Sequence, residues 1–236
     1  MVAPLSSPTQ LDVIYPERDG KPMSDNTKQF RWIVTIQGGL DALFQDDPNV
    51  LVVGDLLWYP VEGNNKICTA PDGMVIFGRP KGDRSSYLQW KEENIPPQVV
   101  FEVLSPGNTL TEMAKKLAFY DRYGVEEYYL YDPDKVDLSG WLRNQGKLEV
   151  IDSISDWVSP RLGIRFDMSG TQLQIYRPDG KPFATYLELA QGKEEAESRA
   201  EQAESRAEQA EALLAQERQQ MQALLAKLQE KGIELE

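Results

Sequence analysis

The chain of 236 residues contains no histidine. That absence excludes Ser-His-Asp and Cys-His nucleophiles, histidine-liganded zinc or iron, and a histidine-based pH switch. A single cysteine, Cys68, excludes an intrachain disulfide and a cysteine-cluster zinc site. No run approaches the roughly 18 apolar residues that a membrane-spanning helix needs. The N-terminal stretch has no apolar core of a signal peptide, so a cytoplasmic protein without membrane association is expected. Basic residues are the scarcer sign: 25 Lys+Arg stand against 38 Asp+Glu, for a net charge of −13. Such acidity argues against a surface that grips nucleic acid all over, while leaving room for a local basic groove. Any chemistry must rest on carboxylates, lysines or hydroxyls, with or without a bound hard cation.

What is present falls into two parts, a mixed domain over 1–190 and a charged helix over 191–236. The tail from Lys193 onward carries 11 acidic and 6 basic residues and repeats AESRAEQ from Ala196 to Gln209. Ala196, Ala203 and Ala210 share one heptad position; Ala200, Ala207, Leu214, Met221 and Leu228 share the other. Alternating steps of four and three make a coiled-coil seam, which implies a homo-oligomer or a partner helix. A solvated single helix is the plainer alternative.

The first part mixes strands and helices. Residues 28–44 read as a helix with Ser24 or Asp25 as N-cap. Strands are expected at 50–53, 56–59, 73–77, 98–104 and 127–131. A helix over 110–123 joins the last two, which implies a parallel crossover. Hairpin strands follow at 138–143, 148–151, 163–167 and 173–177, with a turn at Asn144-Gln145-Gly146. Asp-Gly-Lys-Pro at 19–22 and at 179–182 reads as a turn in both places.

Glu102 interrupts an apolar strand, Val99-Val100-Phe101-Glu102-Val103-Leu104. A carboxylate there is costly unless a cation or hydrogen bonds meet it. A glutamate paired with an arginine fits the position equally well. Asp72 lies at the mouth of another apolar strand, in Pro71-Asp72-Gly73, which by itself is a turn signal. Together, carboxylates at two adjacent strand ends can hold Mg²⁺ through oxygen ligands. On the following helix Thr109 and Glu112 fit a capping box. Leu110, Met113, Ala114 and Leu117 form the expected buried stripe, and Lys116 flanks it with its ammonium aimed back at the strand ends. Arg79, Lys81, Arg84, Tyr87, Trp90 and Lys91 form a basic and aromatic segment that suits either a phosphate track or an ordinary surface loop.

These residues resemble a known family. Pro71-Asp72, Glu102-Val103-Leu104-Ser105-Pro106, Lys116 with Tyr120, and Gly124-Val125-Glu126-Glu127-Tyr128-Tyr129 are similar to the putative restriction endonuclease family. That family is abundant in cyanobacteria and belongs to the PD-(D/E)XK nuclease superfamily. The resemblance covers roughly residues 10–190. It implies an α/β (α+β) fold, a restriction-endonuclease-like mixed sheet flanked by helices. It also implies an endonuclease that hydrolyses phosphodiester bonds of nucleic acid, with DNA as the expected substrate and Mg²⁺ or Mn²⁺ as cofactor. Asp72 and Glu102 match the metal-binding acids. The superfamily's strand lysine falls at Leu104, and Lys116 takes its place from the helix. Asp25 is a candidate for a further acid from the first helix, without an alignment to support it. The competing expectation is an inactive nuclease fold that serves as a scaffold through its coiled coil.

Overall fold

The computed structural model describes residues 13–18, 20 and 23–230. In chain order the elements are α1 (Thr27–Leu43), β1 (Val50–Val53), β2 (Trp58–Tyr59), β3 (Gly73–Phe77), β4 (Tyr87–Leu88) and β5 (Val99–Val103). There follow α2 (Leu110–Arg122), β6 (Glu127–Asp132), β7 (Asp137–Asn144), β8 (Lys147–Val150), β9 (Arg165–Asp167), β10 (Gln174–Tyr176) and α3 (Tyr186–Glu230). The turn expected at 19–22 includes Asp19, Lys21 and Pro22, which lie outside the described residues.

Six strands form one mixed sheet in the order β1-β3-β5-β6-β7-β8. The β5–β6 pair is parallel and the other four pairs are antiparallel. Helix α2 spans the parallel crossover, as a strand-helix-strand pattern with short links requires. The β7–β8 hairpin turns where expected, with Gln145 and Gly146 both at positive φ, the geometry of a tight hairpin turn. Trp58–Tyr59 is shorter than the strand expected at 56–59. The chain bends before it at Asp55, whose φ is +50°, and pairs in parallel with β4 in a separate two-stranded sheet.

Period-two alternation sends β5 to both sides of the sheet. Val99, Phe101 and Val103 join Ile33, Ile36 and Leu40 of α1 in one core. Val100 joins Met74, Ile76, Tyr128, Trp58 and Tyr120 in the other, which α2 covers. Glu102 shares its parity with Val100 and therefore faces α2.

The structure corrects two local expectations. The N-cap of α1 is Asn26, whose side chain accepts from the amides of Lys28 and Gln29. In α2 half of the expected stripe holds: Leu117 packs against the core and Met113 is half-buried, but Leu110 is 91% exposed, Ala114 is exposed, and Tyr120 is the fully buried residue. Leu110 opens the helix beside its cap Thr109, where no element among the described residues covers it.

Contacts divide the chain after Thr185. The second unit contains the single 45-residue helix α3, with Leu213, Leu214 and Met221 exposed along it. The side chain of Leu228, the last seam residue, lies outside the described part. Among the described residues no helix is long and apolar enough to cross a membrane.

Candidate active site

Strands β3 and β5 pair as far as Gly73 opposite Phe101. One step beyond, the next position on β3's side is Asp72 and on β5's is Glu102. Asp72 Oδ2 accepts the Val103 amide at 2.7 Å. A side-chain carboxylate thus takes over where a ladder carbonyl would otherwise serve, which fixes Asp72 at the strand mouth.

Glu102 is buried, only 3% exposed. Both of its oxygens are engaged from α2. Lys116 Nζ donates to Oε2 at 2.7 Å, and the Tyr120 hydroxyl donates to Oε1. Lys116 and Tyr120 are one helical turn apart, so both side chains reach the same strand residue. The structure therefore brings Asp72, Glu102 and Lys116 to one place from three elements. They line a cavity of about 650 Å³ together with Asp25, Gln29 and Asp55.

Gln29 is a buried polar residue on the apolar face of α1. Its amide Nε2 donates to the Val103 carbonyl at 2.8 Å, and its Oε1 accepts from the Asp25 amide at 2.8 Å. The Asp25 carboxylate accepts from Ser105 Oγ at 2.5 Å. These bonds brace the end of β5 against α1. The polar interruption of the stripe Gln29, Ile33, Ile36, Leu40 was the available sequence signal for this contact.

Burial, reinforced by the charge of Glu102, pushes the Asp72 carboxyl up to about 8. The Val103 amide and the Lys116 ammonium oppose this without reversing it. Burial pulls the Lys116 ammonium down, but the charge and hydrogen bond of Glu102 outweigh it and the net direction is up. Burial and the charge of Glu102 hold the Tyr120 hydroxyl well above its usual range. The Tyr128 hydroxyl is buried and has no hydrogen-bond partner among the described residues. Its proton is held by burial and by the charges of Glu102 and Asp72. The site is thus crowded with negative potential in a partly dry setting.

Among the described residues no group of three or more His, Cys, Asp or Glu side chains forms a metal-holding cluster. The donor chemistry still fits a hard divalent cation. Two carboxylates at neighbouring strand ends offer oxygen ligands, and the burial and Glu102 charge that raise Asp72 are costs that a bound cation offsets.

The basic segment after β3 reads differently in three dimensions. Arg79 Nε and Arg84 Nε each donate to Glu92 at 2.8 Å, and Arg79 also pairs with Glu93 at 2.7 Å. Trp90 is half-buried and packs near Tyr15, ring centroids 4.9 Å apart. The two arginines are engaged within their own loop. The capping box on α2 is half formed: Thr109 Oγ1 accepts the Glu112 amide at 3.2 Å, while the Glu112 carboxylate accepts from Asn108 Nδ2 at 3.5 Å.

Gly54 sets how closely the chain after β1 approaches Asp72. A Cβ built there comes within 2.7 Å of the Asp72 carbonyl oxygen. Backbone cannot yield as a side-chain tip does, so Gly54→Ala is expected to cost about 1–3 kcal/mol of stability. Urea unfolding checks this; an unchanged midpoint would show that the bend at Gly54-Asp55 is soft.

The family model described as putative restriction endonuclease (Uma2) matches residues 21–173, more than half of the chain. Among solved structures, that of a putative nuclease belonging to DUF820 from Anabaena variabilis aligns at 20% identity. The alignment covers 59% of this chain and 74% of that chain, with a TM-score of 0.44. None of the curated proteins matches.

Proposed function

Because the chain belongs to the Uma2 family of putative restriction endonucleases, we propose that it is a divalent-metal-dependent endonuclease that hydrolyses phosphodiester bonds of DNA. We read residues 1–190 as a PD-(D/E)XK nuclease domain. One observation carries the reading: Asp72, Glu102 and Lys116, from three separate elements, line a single cavity. Asp72 and Glu102 would hold Mg²⁺ or Mn²⁺. When bound, such an ion supplies positive charge at a phosphoryl oxygen and a bound water of lowered pKa. Lys116 orients the attacking water or offsets the negative charge that develops on the phosphate. Gln29 and the Asp72 carboxylate steady the end of β5, on which Glu102 sits.

The test is cleavage of plasmid, single-stranded DNA and RNA with Mg²⁺ or Mn²⁺, against the same reactions in chelator. Metal-dependent cutting of DNA supports the reading; cutting of RNA alone corrects the substrate. No cutting of any substrate and no metal binding would move the assignment to a scaffold.

The scaffold reading has its own support in α3, whose Leu213, Leu214 and Met221 are exposed. A helix of this length with an apolar seam pairs with a copy of itself more readily than it stands alone in water. Deleting residues 193–236 is expected to leave a cooperatively folding core and to lower the mass per particle measured by light scattering. If the ratio of particle mass to chain mass is the same before and after deletion, α3 does not mediate assembly.

A further inference from the structure

The two donors on Glu102 differ in kind. Tyr120 is fully buried, and its neutral hydroxyl fixes one carboxylate oxygen from the core side. Lys116 reaches the other oxygen along the cavity wall, with its side chain 22% exposed and its contact at 2.7 Å. Its ammonium sits on a four-carbon stem that can swing. A cation held between Asp72 and Glu102 would draw on the same carboxylate charge that Lys116 now satisfies. A buried carboxylate without any cation is costly, so the position calls for an occupant in each state.

We propose that Lys116 is a resident counter-ion, which occupies Glu102 in the metal-free protein and releases it when a divalent cation binds. The released ammonium then faces the open cavity, where a phosphate would lie. This rests on the reading of Asp72 and Glu102 as cation ligands, and goes beyond it by making metal binding and the placement of Lys116 one event. Lys115 is a natural control. It carries the same charge and lines the same cavity, but its neighbour Lys116 makes the bond to Glu102.

The experiment is titration of the full-length chain with Mn²⁺, read as free ion by electron paramagnetic resonance. Lys116→Met is expected to bind Mn²⁺ about tenfold more tightly than the parent, the effect of removing a competitor worth ~1.4 kcal/mol. Lys115→Met is expected to stay within about twofold of the parent, since an exposed charge is screened. Equal tightening in both variants, or none in Lys116→Met, overturns the proposal and leaves the metal site standing. A parent that binds no Mn²⁺ overturns the metal site as well. A second measurement needs no variant: acetylation of Lys116 by acetic anhydride, followed by mass spectrometry, should rise severalfold at saturating Mn²⁺ relative to Lys115. Unchanged labelling in a protein that binds Mn²⁺ also overturns the exchange.

Discussion

Cleavage by the Asp72→Ala and Glu102→Ala proteins is expected to fall by at least about a hundredfold, or ~2.7 kcal/mol of transition-state stabilisation. On the proposed reading, each removes one of the two carboxylates that would hold the metal. Their effects on stability separate them. Glu102→Ala leaves the Lys116 ammonium and the buried Tyr120 hydroxyl without their acceptor, so the metal-free protein should lose roughly 1–3 kcal/mol. Asp72→Asn should have the opposite sign. Burial and the Glu102 charge push the Asp72 carboxyl up to about 8 in the fold, from the ordinary 3.8 of a free aspartate. Between those values the folded chain keeps a proton that the unfolded chain has released. Stability therefore falls as pH rises through that window, and the full cost is present above it. Asp72→Asn removes the cost and can still accept the Val103 amide. Its melting temperature without metal should exceed the parent's at pH 9 and match it more closely near pH 5. Thermal unfolding across that range, beside plasmid cleavage, checks both halves. A parent whose stability is flat from pH 5 to 9 would mean that burial and the Glu102 charge do not raise the Asp72 carboxyl.

Glu127→Ala is expected to be the most damaging single change outside the cavity. The residue is 1% exposed. Its carboxylate accepts from Tyr129 Oη at 2.8 Å, from Ser159 Oγ at 2.5 Å and from the Arg161 amide at 2.7 Å. The bonds tie the start of β6 to the loop that leads into β9. Truncation leaves three donors short of an acceptor and opens a gap in a packed region, a loss of roughly 3–5 kcal/mol. The adjacent Glu126 pairs with Arg161 on the surface, where the two side chains are 36% and 43% exposed. Glu126→Ala should cost no more than about 1 kcal/mol. Urea unfolding of the two variants side by side is the check; equal losses would refute the assignment of Glu127 as a buried anchor.

That neighbouring pair shows where sequence reading stops. Glu126 and Glu127 look alike in Gly124-Val125-Glu126-Glu127-Tyr128-Tyr129, and only the packing of the Ser159 loop makes one of them a core residue. Glu102 stood out because a charge in a five-residue apolar strand must be met by a cation or hydrogen bonds, although position alone left an arginine partner equally open. Asp72 became legible through its pairing with Glu102, and the sheet does put their strands side by side. Lys116 could be placed on the helix face turned toward the strands, although Leu110 and Ala114 of the stripe beside it lie exposed. A helical wheel counts Leu110 as core material without knowing that its side chain is left 91% exposed at the helix start. The cap of α1 was missed because Ser24, Asp25 and Asn26 are all competent, and tertiary contacts chose among them: Asp25 is drawn to Ser105, which leaves Asn26 to the helix. Strand β4 was invisible, since two residues carry no period and their pairing with β2 is long-range.

The stacking of Trp58 on Tyr120 has an optical consequence. The indole is fully buried, and its ring lies parallel to the phenol at 1° with centroids 6.4 Å apart. That phenol is the one bonded to Glu102. A shift in the charge or position of the carboxylate is therefore expected to reach, through one aromatic ring, an indole screened from solvent quenchers. Of the five tryptophans, Trp58 thus lies one residue removed from the carboxylate, and events in the cavity are expected to change that part of the emission which Trp58→Phe abolishes.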